Sequence, residues 1–270
     1  MGGNRRVRIS VRHLQKTFAQ GAREVVAVAD ATFDVGEKEF VALIGPSGCG
    51  KSTVLNMIAG LVTPTRGVAL VDGEPVMGPR PEVGYLFQQD TVFPWRTVAK
   101  NIGLGLEYRG VPGAERAAAV TAMIRTAGLE GFEEAFPATL SGGMRQRVAL
   151  MRTLIVEPEI LLMDEPFGAL DTHTKLDLQR ELLDLWWRTQ QTVLFVTHDL
   201  GESITLSDRI IVCTRRPSRI KAIFEVDLPR PRDVIALRET VEYAQIYQTV
   251  WHTLGEEFAA GHRAREAGQP

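Results

Sequence analysis

One stretch constrains this chain more than any other: Gly45-Pro46-Ser47-Gly48-Cys49-Gly50-Lys51-Ser52. It fits the pattern G-x-x-x-x-G-K-[ST] at every fixed position. The apolar run Phe40-Val41-Ala42-Leu43-Ile44 precedes it and a helix pattern follows. This is a strand–turn–helix unit. Its glycines let backbone N–H groups curl round phosphate oxygens, and the helix N-terminus adds roughly half a positive charge there. Lys51 is placed to reach outer phosphates, and the Ser52 hydroxyl to ligate Mg²⁺.

The rest of the chain reads as α/β. Ile160-Leu161-Leu162-Met163, Thr192-Val193-Leu194-Phe195-Val196 and Ile210-Ile211-Val212-Cys213 are further buried-strand patterns. Leu176, Leu183, Trp186 and Trp187 recur at roughly helical spacing between two of them. From about Asp90 to Leu154 there is no convincing strand, and Ala114 to Ala127 is rich in helix formers. This is expected to be a helical insert. Pro229 and Pro231, in Leu228-Pro229-Arg230-Pro231-Arg232, punctuate a boundary before a last helix pattern from Leu237 to Leu254.

Composition closes off other classes. The chain has 270 residues, 44% apolar and 24% charged, so it is neither disordered nor fibrous. Its formal net charge of -2 gives no sign of a general nucleic-acid binder. No apolar run approaches the ~20 residues of a membrane-spanning helix. The N-terminus lacks the apolar core of a secretory signal, and the two cysteines, Cys49 and Cys213, are far apart. A reducing, cytoplasmic setting is expected. The basic clusters Arg5-Arg6-Arg8 and Arg215-Arg216 read as solvated faces.

The strand Ile160 to Met163 runs into Asp164 and Glu165. Asp164 is suited to hold Mg²⁺ through water, and Glu165 to take a proton from an attacking water. His198 follows another strand, on the edge where ligands of parallel sheets bind. It is suited to touch the terminal phosphate or to orient Glu165 and the water. Cys49 reads as a small residue that fits the loop, since nothing nearby marks a resolving cysteine. Ser141-Gly142-Gly143, before another helix pattern, forms a second anion-binding helix N-terminus. One chain has one nucleotide turn to fill, so the second points to another chain's nucleotide.

With these residues in view, the sequence resembles the ATP-binding subunits of ABC transporters over nearly its whole length. Residues 45–52 match Walker A, 160–165 Walker B, and 140–147 (Leu140-Ser141-Gly142-Gly143-Met144-Arg145-Gln146-Arg147) the signature motif. Gln88 matches the Q-loop glutamine, Gly168-Ala169-Leu170-Asp171 the D-loop, and His198 the switch histidine. Phe18 matches the aromatic that stacks on adenine. Phe93-Pro94-Trp95, Met144 to Arg147, Arg216 to Ile220, the 228–232 stretch and the Trp251 helix look like the nitrate, sulfonate and taurine import group.

The resemblance implies a fold and a set of roles. The fold is a P-loop NTPase (RecA-like) core with a mixed β-sheet and a helical subdomain inserted before the signature motif. The expected parts are a core of 1–89 and 155–227, a helical subdomain of 90–154 and a C-terminal helical extension of 228–270. ATP and Mg²⁺ are the implied ligands. Phe18, the 45–52 turn with Thr53, Asp164 and Asp171 bind nucleotide, and Ser141, Gly142 and Gly143 bind the ATP of a facing chain. Ser52, Gln88 and Asp164 serve the metal, and Glu165, His198 and Gln88 serve hydrolysis.

The implied partners are a second ATPase subunit, identical or paralogous, and transmembrane permease subunits. An extracytoplasmic solute-binding protein acts indirectly, through the permease. Phe93 and Trp95 are candidates for the permease-facing groove. The implied place is peripheral, on the cytoplasmic face of the inner membrane, and no nucleic acid is involved. The resemblance leaves open an exporter ATPase or a soluble relative acting in DNA repair or on the ribosome. A single motif set without a long heptad run argues against the latter.

Overall fold

The computed structural model describes residues 6–266 apart from 22, 90 and 169, with side chains described up to 257, residue 20 excepted. In chain order the elements are β1 (Val7–Gln20), β2 (Arg23–Gly36), β3 (Phe40–Ile44), α1 (Lys51–Ile58), β4 (Arg66–Val71), β5 (Glu74–Pro75) and β6 (Val83–Leu86). Then come α2 (Val98–Ile102), α3 (Leu104–Tyr108), α4 (Gly113–Thr126), α5 (Gly142–Leu154), β7 (Ile160–Asp164) and α6 (Thr172–Thr189). The last are β8 (Thr192–Thr197), α7 (Leu200–Leu206), β9 (Arg209–Cys213), β10 (Ser218–Glu225) and α8 (Val241–Glu266). Two compact units result: one from the described parts of Met1–Arg80 and Gln190–Pro270, the other from Pro81–Thr189.

The first unit carries a mixed sheet in the order β5-β4-β1-β2-β10-β9-β3-β8. β3 runs parallel to β8 and to β9, with Ile44 opposite Thr197 on one side and Val212 on the other. Every residue of β3 and β8 is buried. Strands covered on both faces must be apolar throughout, which is why they read as unbroken runs. Phe40 and Phe195 lock β3 to β8 edge to face, with centroids 5.5 Å apart.

The β1–β2 hairpin was not legible in the sequence. The two strands pair antiparallel from Val7↔Gly36 to Gln20↔Arg23. The register shifts between Val11 and Leu14, where His13 takes a φ of 47°. Only one face, with Ile9, Val11, Leu14 and Val28, is fully covered, so polar residues interrupt the pattern. Arg8, expected on a solvated face, is buried and paired with Asp72 at 2.8 Å. Arg6 reaches the same carboxylate at 3.3 Å, and Arg5 lies outside the described residues.

The 228–232 stretch does more than mark a boundary. Arg232 turns inward and donates to the carbonyls of Ile204, Thr205 and Ser207 at 3.2, 3.2 and 2.7 Å, and to those of Val226 and Leu228. Arg230 donates to the Leu206 carbonyl at 2.7 Å and to Asp208 at 2.8 Å. A helix end leaves carbonyls without intrahelical partners, and cations favour that end. The two arginines therefore cap the C-terminus of α7. α8 is tied down by Lys221, which bonds Glu257 at 2.7 Å, Glu256 at 2.8 Å and the Thr253 carbonyl at 3.1 Å.

In the second unit β6 and β7 pair in parallel, from Val83↔Ile160 to Leu86↔Met163. The insert is helical, as its composition predicts. Fully buried Asn101 organises it: its amide donates to the carbonyls of Phe93, Arg96 and Thr97, and its Oδ1 accepts the Phe93 N–H at 2.8 Å. This closes the loop that presents Trp95, which is 71% exposed, 5.3 Å from the Phe93 ring. On α6, Trp186 is core and Trp187 is exposed. Among the described residues, no helix is long and apolar enough to cross a membrane.

Candidate nucleotide site

In the first unit, β3 delivers the chain into the glycine turn and α1 leaves it. Gly48 has a φ of 72°, and a Cβ there would meet nothing within 4 Å. The turn is therefore open to solvent at Gly48. Gly50, the N-cap of α1, has a φ of 117°, and a Cβ there would lie 2.8 Å from the Ala27 carbonyl oxygen. Only glycine fits that approach. No side chain caps α1 and its first turn holds no acid. The uncapped N–H groups and the open cradle fit an anionic phosphate chain.

Lys51 is buried, and its ammonium donates to the carbonyls of Gly45 at 2.9 Å and Pro46 at 3.1 Å. The loop itself thus holds the cation at the mouth of the turn. Ser52 and Thr53 follow, half-buried. Cys49 is buried at the base of the loop; burial pushes its thiol pKa up, with the Lys51 charge pulling the other way. Cys213 is fully buried and pushed up to about 12, again by burial first. Both thiols stay protonated, which makes them poor nucleophiles.

Phe18 is on β1 and 39% exposed, with the Lys16 ammonium 5.0 Å from its ring centroid. It is not a core residue, and its face meets solvent and a cation. His198, also exposed, follows β8.

In the second unit, Asp164 ends β7 and is buried, with Glu165 next to it. Glu165 has a φ of 45°, the left-handed region, an unusual backbone for a non-glycine residue. Its Oε2 accepts a hydrogen bond from Gln88 Nε2 at 3.2 Å. Burial, and then the Asp164 charge, push the Tyr85 hydroxyl's pKa up, so a neutral phenol faces that carboxylate.

Ser141 N-caps α5, its Oγ accepting the Met144 N–H at 3.2 Å. Ser141 and Gly142 are exposed. A Cβ on Gly143 would lie 2.8 Å from Thr174 Cγ2, which explains the second glycine. Gln146, part of the signature motif but with no role of its own in the sequence, gains one in the structure. It is buried, and its amide donates to the Pro166 carbonyl at 2.9 Å, tying α5 to the residue after Glu165. Asp171 accepts the N–H groups of His173 and Thr174, each at 3.1 Å. Hydrogen bonds from Thr174, its side chain first, hold this carboxyl below its usual range. Ala169 lies outside the described residues.

The family model described as "ABC transporter" matches residues 11–168. An uncharacterized ABC transporter ATP-binding protein of Methanocaldococcus jannaschii, MJ0412, is 48% identical over 93% of both chains. The taurine import ATP-binding protein TauB of Rhizobium johnstonii is 40% identical over 90% of this chain and 94% of its own. The bicarbonate transport ATP-binding protein CmpC of Synechococcus elongatus is also 40% identical, over 92% of this chain and 38% of its own. Among solved structures, the ATP-binding cassette MJ0796, described as a dimer in a post-hydrolysis state bound to ADP and Pi, superposes with a TM-score of 0.74. It is 30% identical, and the match covers 82% of this chain and all of that one. The chain has the ABC ATPase fold, and it belongs to the ATP-binding subunits of ABC transporters, in the nitrate, sulfonate and taurine group.

Proposed function

We propose that this chain hydrolyses ATP to drive an importer for a small anionic solute of the nitrate, sulfonate or taurine kind. The observation that carries the reading is its 40% identity to a taurine import subunit over nine-tenths of the chain. The open glycine turn and the Ser141-capped second turn support it.

The roles follow from chemistry. Lys51 and the N-terminus of α1 bind the phosphates, and Phe18 stacks on the adenine. Ser52, Gln88 and Asp164 hold Mg²⁺, which neutralises charge developing on the phosphate oxygens. The donors suit that ion: Mg²⁺ takes hard oxygen ligands, one or two carboxylates with phosphates and water rather than an all-protein cage. No cluster of three or more His, Cys, Asp or Glu occurs among the described residues. Glu165 accepts a proton from the attacking water, Gln88 steadies that carboxylate, and His198 hydrogen-bonds the terminal phosphate.

Two copies, or this chain and a paralogue, face each other head to tail. Ser141, Gly142 and Gly143 of one meet the nucleotide of the other, and Asp171 serves the same interface. ATP binding closes the dimer and hydrolysis lets it open. Residues 1–89 with 155–227 form the ATP-binding core, 90–154 the signature subdomain and 228–270 a C-terminal extension. Trp95 and Phe93 face the permease, the subunit is peripheral on the cytoplasmic side, and a solute-binding protein acts through the permease.

The test is affinity purification of the tagged chain from native membranes in mild detergent, with the co-purifying chains identified. A polytopic permease is the expected partner. Recovery solely with DNA-repair or ribosomal partners would overturn the importer reading.

A further inference from the structure

The C-terminal segment grips both ends of α7, the short helix that follows His198. At its C-terminus, Arg230 and Arg232 bond the carbonyls of residues 204–207. At its N-terminus three groups converge on Gly201. A Cβ there would lie 3.1 Å from Asp199 Oδ1, 3.2 Å from the Tyr243 hydroxyl oxygen and 3.8 Å from Arg238 Nη2. Tyr243 belongs to the first turns of α8 and is only 7% exposed. Burial pushes its hydroxyl's pKa up, and the Arg238 cation and the Thr205 side chain on α7 pull the other way. A phenylalanine would fill the same apolar space but would lose the hydroxyl's polar contacts with α7, at the Thr205 side chain and beside Gly201.

The turn between β8 and α7, against which the hydroxyl lies at Gly201, is itself held by hydrogen bonds. Thr197 Oγ1 accepts the Asp199 N–H at 3.0 Å and donates to the buried Glu202 carboxylate. Asp199 Oδ1 accepts the Glu202 N–H at 3.1 Å. His198 is the residue spanned by the Thr197–Asp199 bond, so this turn fixes the backbone from which its imidazole projects. The hydroxyl of Tyr243 and the guanidinium of Arg238 sit against that turn from the C-terminal segment.

We propose that Tyr243 is a positioning residue of the ATPase site: through the Asp199–Gly201 turn it sets the aim of His198, so that docking of α8 tunes turnover. The proposal rests on the reading of His198 as a terminal-phosphate ligand. It gives the C-terminal extension a task in the reaction. A partner that lifts α8 slows hydrolysis without touching the nucleotide.

The experiment uses the full chain and four variants: Tyr243→Phe, Tyr247→Phe, Gly201→Ala and His198→Ala, with the Tyr243→Phe/His198→Ala double variant. ATPase kcat and KM, equilibrium ATP affinity and thermal unfolding are measured for each. Tyr243→Phe is expected to lower kcat by about 3- to 10-fold, the range of indirect coupling, with KM, affinity and melting temperature nearly unchanged. Gly201→Ala, which crowds the hydroxyl, shows the same split. Tyr247→Phe, at an exposed neighbouring tyrosine, behaves as wild type. In the His198→Ala background, Tyr243→Phe removes nothing further, because its effect runs through that imidazole. Wild-type kcat in Tyr243→Phe, or a loss that multiplies in full with His198→Ala, overturns the proposal and leaves the role of His198 standing. Wild-type turnover in His198→Ala overturns both.

Discussion

Gln88 and Glu165, 77 positions apart, share a hydrogen bond from Nε2 to Oε2 of 3.2 Å. They follow β6 and β7, which are adjacent and parallel, so the sheet register brings the two loops together. The left-handed backbone at Glu165 aims its carboxylate, and such a conformation costs on the order of 1–3 kcal/mol. Glu165→Gln is expected to keep ATP affinity and to lower kcat by about 10²–10⁴-fold, the usual worth of a positioned general base. Nucleotide binding and steady-state turnover check this, and size-exclusion with ATP shows whether a closed dimer accumulates. Normal hydrolysis by the variant would remove Glu165 as the base.

Lys51 is held by two loop carbonyls at the open turn. Charge-assisted hydrogen bonds contribute about 1.5–3 kcal/mol, so Lys51→Ala should weaken ATP binding by roughly 10- to 100-fold. Titration with a fluorescent nucleotide measures it. Undiminished affinity would count against the phosphate turn.

The Arg232 side chain is 1% exposed and bonds five carbonyls. Burial pulls its pKa down to about 10, the Arg230 charge adding to this, yet it remains cationic at neutral pH. Arg232→Met removes all five bonds from a buried site, and of these carbonyls that of Val226 keeps the Leu228 N–H at 2.9 Å. We expect a loss of about 3–5 kcal/mol in urea unfolding, the cost of removing one partner from a buried charged network. A loss below ~1 kcal/mol, ordinary for an exposed site, would mean the clamp contributes little.

Glu257 ties α8 to Lys221 and accepts the Arg215 N–H at 3.0 Å. Burial alone would raise its carboxyl, but Lys221 and the Arg215 N–H more than offset that, and the pKa falls below the ordinary 4.5. A carboxyl lowered in the folded state stabilises fully above its unfolded pKa and loses that contribution as pH drops through the folded value. Glu257→Gln should therefore be less stable than wild type by about 1 kcal/mol at pH 7. The gap should close as pH falls below about 4. Parallel urea curves across that range test it, and a gap that ignores pH rejects the ion pair as its source.

Much of this was legible before any coordinates. Strands β3, β7, β8 and β9 are buried on both faces, so each announces itself as an apolar run. The phosphate turn, the acid pair after β7 and the Ser141 turn are local, because each chemistry needs particular residues at fixed short spacing. The β1–β2 hairpin was not legible, since its alternation is broken by register shifts and one face is open. Nor was the inward course of Arg230 and Arg232: basic residues beside prolines read as a surface linker, and nothing local shows that helix carbonyls await them.

The sequence by itself determined the α/β class, the nucleotide motifs and their order, because those depend on backbone freedom and spacing within a few residues. Only the tertiary structure decided that Gln88 holds Glu165, that Gln146 ties the signature helix to Pro166, and that Tyr243 reaches the turn of His198. Each of these joins residues from 20 to 77 positions apart or rests on a side chain docked from another helix. Each exists only once the fold has brought distant segments together: the Gln146–Pro166 bond is buried, whereas Gln88 and Glu165 meet at the surface because β6 and β7 are neighbours.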